Sequence, residues 1–130
     1  MPKSIRILIA IFAAGLIANG LVMLLEPHGW FTQVPGVANT GDHNHHFIRD
    51  IGAVYITMSA GMIYGLRYGH YLLPALSFSA VWLGLHGVIH LWDVLADRLP
   101  LQHLWMDLPG VFLPPILVVF LIFRLRPTTS

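Results

Sequence analysis

The chain contains no cysteine, which removes disulfides, thiolate metal ligands, iron–sulfur clusters and thiol redox chemistry. It is also poor in charge. Only 10% of its residues are Asp, Glu, Lys or Arg, against about 25% in ordinary soluble domains. The net charge of +1 offers no basic field for nucleic acid and no acidic tail. Strand-type alternation of apolar and polar residues is absent as well. What remains is apolar, 56% of 130 residues, in a length suited to one domain. A soluble protein of this size could not hide that much apolar surface; a bilayer can.

The apolar residues fall in four runs, Ile7 to Leu25, Ile51 to Leu66, Leu72 to Trp92 and Leu108 to Phe123. A helix needs roughly 20 residues to cross about 30 Å of hydrocarbon. The first and third runs suffice directly, while the second and fourth need flanking residues or local thinning. Unpaired backbone groups are not tolerated in lipid, so helices are the expected form. The fold class expected is all-α: a single four-helix transmembrane bundle over 1–130, with helices at about 5–26, 46–67, 71–96 and 108–125. The opening, Lys3 and Arg6 before an apolar run, has the look of a signal peptide. The run is too long, however, and ends in Glu26-Pro27 with no small-x-small cleavage pattern, so an uncleaved anchor is expected.

Four spans put both termini on one side. Lys3, Arg6, Arg67, Arg124 and Arg126 lie there, against Arg49 and Arg98 opposite. The positive-inside rule then predicts a multi-pass protein of the cell inner membrane with both termini cytoplasmic. The acids divide completely, because Glu26, Asp42, Asp50, Asp93, Asp97 and Asp107 all fall at the outer side. Seven of the eight histidines join them, all but His70. Acids contribute little to topology, so this segregation suggests a site.

In the third run His86, His90, Asp93 and Asp97 follow i, i+4, i+7, i+11 spacing and share one helix face. A polar stripe reaching inward must face protein or water. In the second run Ala53, Thr57, Gly61 and Gly65 recur every four residues, a small-residue stripe that lets a neighbouring helix approach closely. Continued upward at that spacing, the stripe meets Asp50 and His46, which are therefore expected to face the bundle. Asn19 and Glu26 share a face of the first helix. Asp107 is placed to cap the fourth, and Pro114-Pro115 predicts a kink in it. The long connection from Pro27 to Asn44 is expected along the outer interface, with Trp30 and Phe31 at headgroup level.

Two histidines on adjacent turns of one face are what a metal pair requires, and imidazole suits zinc, copper, iron and nickel. The candidate metal site is His46, Asp50, His86, His90 and Asp93, with Arg49 balancing charge. It lacks both the E-x-x-H pattern of di-iron bundles and the H-E-x-x-H of zinc proteases. The competing reading is a purely structural His/Asp network between helices. A third is a quinone or haem site in which His86 or His90 is an axial ligand or proton donor. For His28, His43 and His45 a wet interfacial loop is expected, and for His70 a cytoplasmic one. Trp82, Trp92, Trp105 and the methionines are expected to pack or anchor.

A glycine-bearing first helix ends in Glu26-Pro27, and a second opens Arg49-Asp50-Ile51-Gly52-Ala53-Val54-Tyr55 before running into small residues. With two helices following, this resembles the DoxX-like small four-helix membrane proteins over most of the chain. Some proteins of that type are associated with quinone-linked sulfur oxidation. The resemblance implies an accessory subunit of a membrane redox system, and no catalytic residue follows from it. The histidine cluster is not a general feature of that group. The function expected is thus a small integral membrane protein with a His/Asp-lined transition-metal site (copper, zinc or iron) in the outer half of its bundle. The expected partners are the lipid bilayer and other membrane subunits or further copies of the chain.

Overall fold

A computed structural model describes residues 1–125 and is helical throughout, without strands among the described residues. Arg126, counted above on the cytoplasmic side, lies outside them. Helix α1 spans Lys3–Leu25, α2 Pro27–Gln33, α3 His45–Tyr68, α4 Leu72–Leu95, α5 His103–Met106 and α6 Leu113–Leu125. A π-helical turn, Leu108–Phe112, leads into α6. Helices α1, α3 and α4 begin and end within about two residues of the expected positions, the ordinary uncertainty of helix ends, while the fourth segment is divided between the π turn and α6. Three of them, Lys3–Leu25, Leu72–Leu95 and Leu108–Leu125, are long and apolar enough to cross a membrane. Their outward faces carry exposed apolar side chains such as Ile11, Val81, Leu85 and Phe123, consistent with contact with lipid.

Helix α3 lies between α1 and α4, and α6 packs on α4. The core runs along these seams through Ile9, Met23, Met58, Met62, Leu76, Leu83 and Val118. At one point α1 and α3 touch backbone to backbone. A Cβ on Gly20 would lie 2.7 Å from the Gly52 carbonyl oxygen, and one on Gly52 would lie 2.8 Å from that of Gly20. At the other end of α3 a Cβ on Gly65 would meet the Leu72 backbone at 2.5 Å, so the turn into α4 also depends on a missing side chain.

The buried face of α3 therefore differs from the one expected. It consists of Ile48, Gly52, Tyr55, Met58, Ser59, Met62 and Gly65. Ala53 and Thr57 are exposed and Gly61 is half-buried, so only the lower end of the predicted stripe lies in the interface. Smallness marked a close approach, but the glycine that makes it at the upper end is Gly52, one position away and about 100° round the helix.

The connection from Pro27 to Asn44 is more ordered than a loop. Proline occupies the first position of α2, where its missing N–H is no loss. A 3-10 turn at Val37–Asn39 follows Gly36, whose φ of 85° suits glycine. Asn44 caps α3 by accepting from the Phe47 N–H. In the fourth segment Pro114 and Pro115 supply no N–H to the turn before them, and the backbone widens there into the π turn.

Candidate functional site

The connection folds back over the end of the molecule where α1 finishes and α3 begins. Beneath it lies a cavity of about 620 Å³ walled by α1, α3, α4 and the π turn. Its lining is mostly apolar, with Leu16, Met23, Ile51 and Leu83 on the walls and Tyr55 beside them. Trp30 and Phe31 turn inward to form its roof. The Trp30 indole N–H donates to Asn19 Oδ1 at 2.9 Å, so the roof is pinned to the middle of α1. Asn19, the one strongly polar residue between Ile7 and Leu25, is thus partnered inside the apolar run.

His86 and His90 enter the cavity from α4. Their i, i+4 spacing brings the rings together edge-on, with centroids 4.6 Å apart. His86 stacks on Trp82 at 5.4 Å, and Trp82 in turn meets Tyr55 edge-on. His90 Nδ1 lies 2.8 Å from Asp107 Oδ2. Asp107 is nearly buried, its side chain 7% exposed. The same oxygen is 3.5 Å from Nδ1 of His103, which is wholly buried. On its far side His103 Nε2 lies 3.1 Å from the Asn39 amide nitrogen. An amide N–H₂ can only donate, so His103 Nε2 accepts and its proton sits on Nδ1, facing the carboxylate. Gly36 lies against this ring, where a Cβ would be 3.1 Å from His103 Cε1. A chain of Asn39, His103, Asp107 and His90 thus runs from the roof into the cavity wall.

Asp107 does not cap the following helix with its side chain, as expected; its backbone carbonyl accepts from Val111 and Phe112, and its carboxylate serves the histidines. His103 had a sequence signal, since His103 and Asp107 stand four apart as His86 and His90 do. The remaining candidates lie elsewhere. His46 and Asp50 pair with each other at 3.4 Å on the solvent side of α3, with side chains 87% and 61% exposed. Neither lines the cavity, so the convergence expected with His86 and His90 is not made. Asp93 pairs with Arg98 at 3.2 Å. Arg49 balances no acid at the site; its Nε donates to the Leu24 carbonyl and closes the end of α1. Asp97 sits past the end of α4 with a φ of 56°. Among the described residues no three His, Asp or Glu side chains converge as a metal-holding group.

A second group of rings crosses the junction of α2 and α3. His43 lies 5.1 Å from His28, 4.2 Å from His45 and 4.8 Å from Phe31 between centroids. His28 and His45 remain exposed, as a wet loop implies, and their rings close around a half-buried His43. Burial, and after it the neighbouring His45 and His28, hold the His43 imidazole below its ordinary value of 6.5, with the Pro27 backbone pulling the other way.

The chain matches no protein-family model, no curated protein and no solved structure.

Proposed function

We propose that the protein binds a small lipophilic molecule with an aromatic or quinoid ring in this cavity, His86 and His90 being its polar contacts. The observation that carries the reading is the cavity itself: about 620 Å³, mainly apolar, with two adjoining imidazoles of which one is held by a nearly buried carboxylate. Its volume lies within the range of about 300–1,000 Å³ usual for small-molecule sites, and few convergent polar groups in an apolar wall are their usual composition. A quinone fits this chemistry. Haem fits less well, since both imidazoles come from adjacent turns of one helix and cannot take opposite faces of a macrocycle. In this reading α1, α3, α4 and the 108–125 helix all cross the bilayer, the termini are cytoplasmic and the cavity opens in the outer half. A role as accessory subunit of a membrane redox system, which the DoxX-like resemblance implies, is compatible with it.

Thermal unfolding in detergent with added decylubiquinol, kept reduced, tests the reading. Binding to the folded state alone raises the melting temperature, by about 2.7 kcal/mol of stability at 100-fold excess over Kd. Ile51→Trp, which places a large ring on the cavity wall, should abolish the shift. An unchanged melting temperature in the wild type would count against the proposal.

A second reading is supported by the His86–His90 pair, whose carboxylate partner resembles the outer-shell support of metal-binding imidazoles. A zinc or copper ion there would take two protein nitrogens and complete its shell from water or ligand. Titrating either metal into wild type, His86→Ala, His90→Ala and His70→Ala distinguishes this, because equal affinity in all four removes the pair as a metal site.

A further inference from the structure

We infer that the cavity selects a ring carrying a hydroxyl group, a lipophilic phenol or hydroquinone, over a molecule of the same shape offering only a carbonyl or ether oxygen. This rests on the proposal that the cavity binds a small lipophilic molecule, and it specifies the head group. The argument begins at Asn39. Its amide donates to His103 Nε2, which leaves the His103 proton on Nδ1, 3.5 Å from Asp107 Oδ2. At that distance His103 makes no hydrogen bond to the oxygen, and an ionised carboxylate has only acceptor sites to give. At 2.8 Å from the same oxygen, His90 Nδ1 must then be the donor. A neutral imidazole has one N–H, so His90 Nε2 is left as a bare lone pair.

His90 lines the cavity, so that lone pair is an acceptor in an apolar setting. His86, beside it, makes no hydrogen bond with the described residues, and its single N–H is free to donate. The pair together offers one acceptor and one donor. A hydroxyl satisfies both, giving its proton to His90 Nε2 and receiving the His86 N–H on its oxygen. A carbonyl or ether can only receive from His86 and leaves the His90 lone pair unmatched, the more unfavourable case in an apolar cavity. Asp107 is a positioning residue in this scheme, since it sets which nitrogen of His90 faces the ligand.

The test uses the full chain in lipid nanodiscs at pH 8, above the reference imidazole value of about 6.5. The probes are 4-hexylphenol and 4-hexylanisole, with uptake by empty nanodiscs subtracted. The phenol should bind roughly tenfold tighter, the value of one neutral hydrogen bond, and Asp107→Asn, which frees the tautomer, should narrow the gap to about twofold. Equal binding of both probes to the wild type would overturn the selection while leaving the cavity as a ligand site. Absence of binding by either would overturn both. Since Asp107→Asn could fail to fold, nitrogen-15 NMR of histidine-labelled wild type gives an independent check, with His90 assigned by its loss in His90→Gln. An unprotonated Nε2 is expected, and a protonated one would end the argument.

Discussion

A carboxylate bonded to one imidazole, with little of its own surface left to water, stabilises that ring only while it is present. Truncating Asp107 to Ala leaves the Nδ1 proton of His90 without its acceptor in a largely dry setting. The expected loss is about 1–3 kcal/mol, the penalty for an orphaned buried donor, and denaturant unfolding in mild detergent would measure it. A loss no larger than that of an exposed substitution such as Asp97→Ala would mean the contact adds little. His43 makes a pH prediction. Its value is lowered in the folded chain, so the unfolded state binds more protons below about 6.5, and stability rises with pH there. Its contribution is complete above that value and is lost as the pH falls beneath it. His43→Gln should therefore melt with a shallower dependence than wild type between pH 7.5 and 5. Residue by residue, the His86–His90 pair was legible because helical spacing alone makes it. The Asp107 partner was not, because it reaches His90 across 17 residues and through a turn whose path no periodicity predicts. Asp107-Leu108-Pro109 reads as a helix opening, and so it is; the side chain simply has another task.

Among the elements, α3 shows how composition can locate an interface and miss its phase. Small residues at every fourth position mark a face where backbones can meet, yet Gly52 and the stripe through Ala53 are neighbours in sequence and compete for that role. Gly20 on α1 decides it, since two glycines must coincide before the chains come this close. The prediction follows from the geometry. Gly20→Ala puts a methyl carbon against a backbone carbonyl that cannot rotate away, so it should destabilise by about 1–3 kcal/mol, the range for overpacking. Gly15→Ala, on the same helix with nothing within 4 Å of the added carbon, should be neutral or slightly stabilising. Parallel melts of the two variants check this, and similar losses in both would remove the Gly20–Gly52 contact as the cause. Helix α2 was missed because seven residues are too few to display a period. Its opening proline was the only local signal.

At the scale of the molecule, three helices meet the length and apolarity of a span, while α3 carries Arg49, Asp50 and Arg67 near its ends and does not. Its position between α1 and α4 is the ground on which its crossing with them is proposed. A reporter fused to the C-terminus should be fluorescent as GFP and inactive as alkaline phosphatase in a bacterial host; the reverse would place the terminus outside and overturn the proposed orientation. The helical class was readable because hydrocarbon leaves a backbone few options. The cavity was not, since it is made by the return of the 27–44 connection, where sequence pattern is weakest.

The glycine contacts also divide the molecule mechanically. Helices α1 and α3 are fastened to each other, α6 is fastened to α4, and the two pairs meet along the α3–α4 seam. That seam is stitched at one end by Gly65 against Leu72. At the other end stands the cavity, closed by a roof that depends on Trp30 with Asn19 and on Asn39 with His103. Such a body behaves as a clothes-peg, stiff at the spring and free at the jaws. Collective helix motion, on the microsecond-to-millisecond scale, is expected at the jaws rather than the spring, and larger relaxation dispersion at Trp30 than at Gly65 would show it.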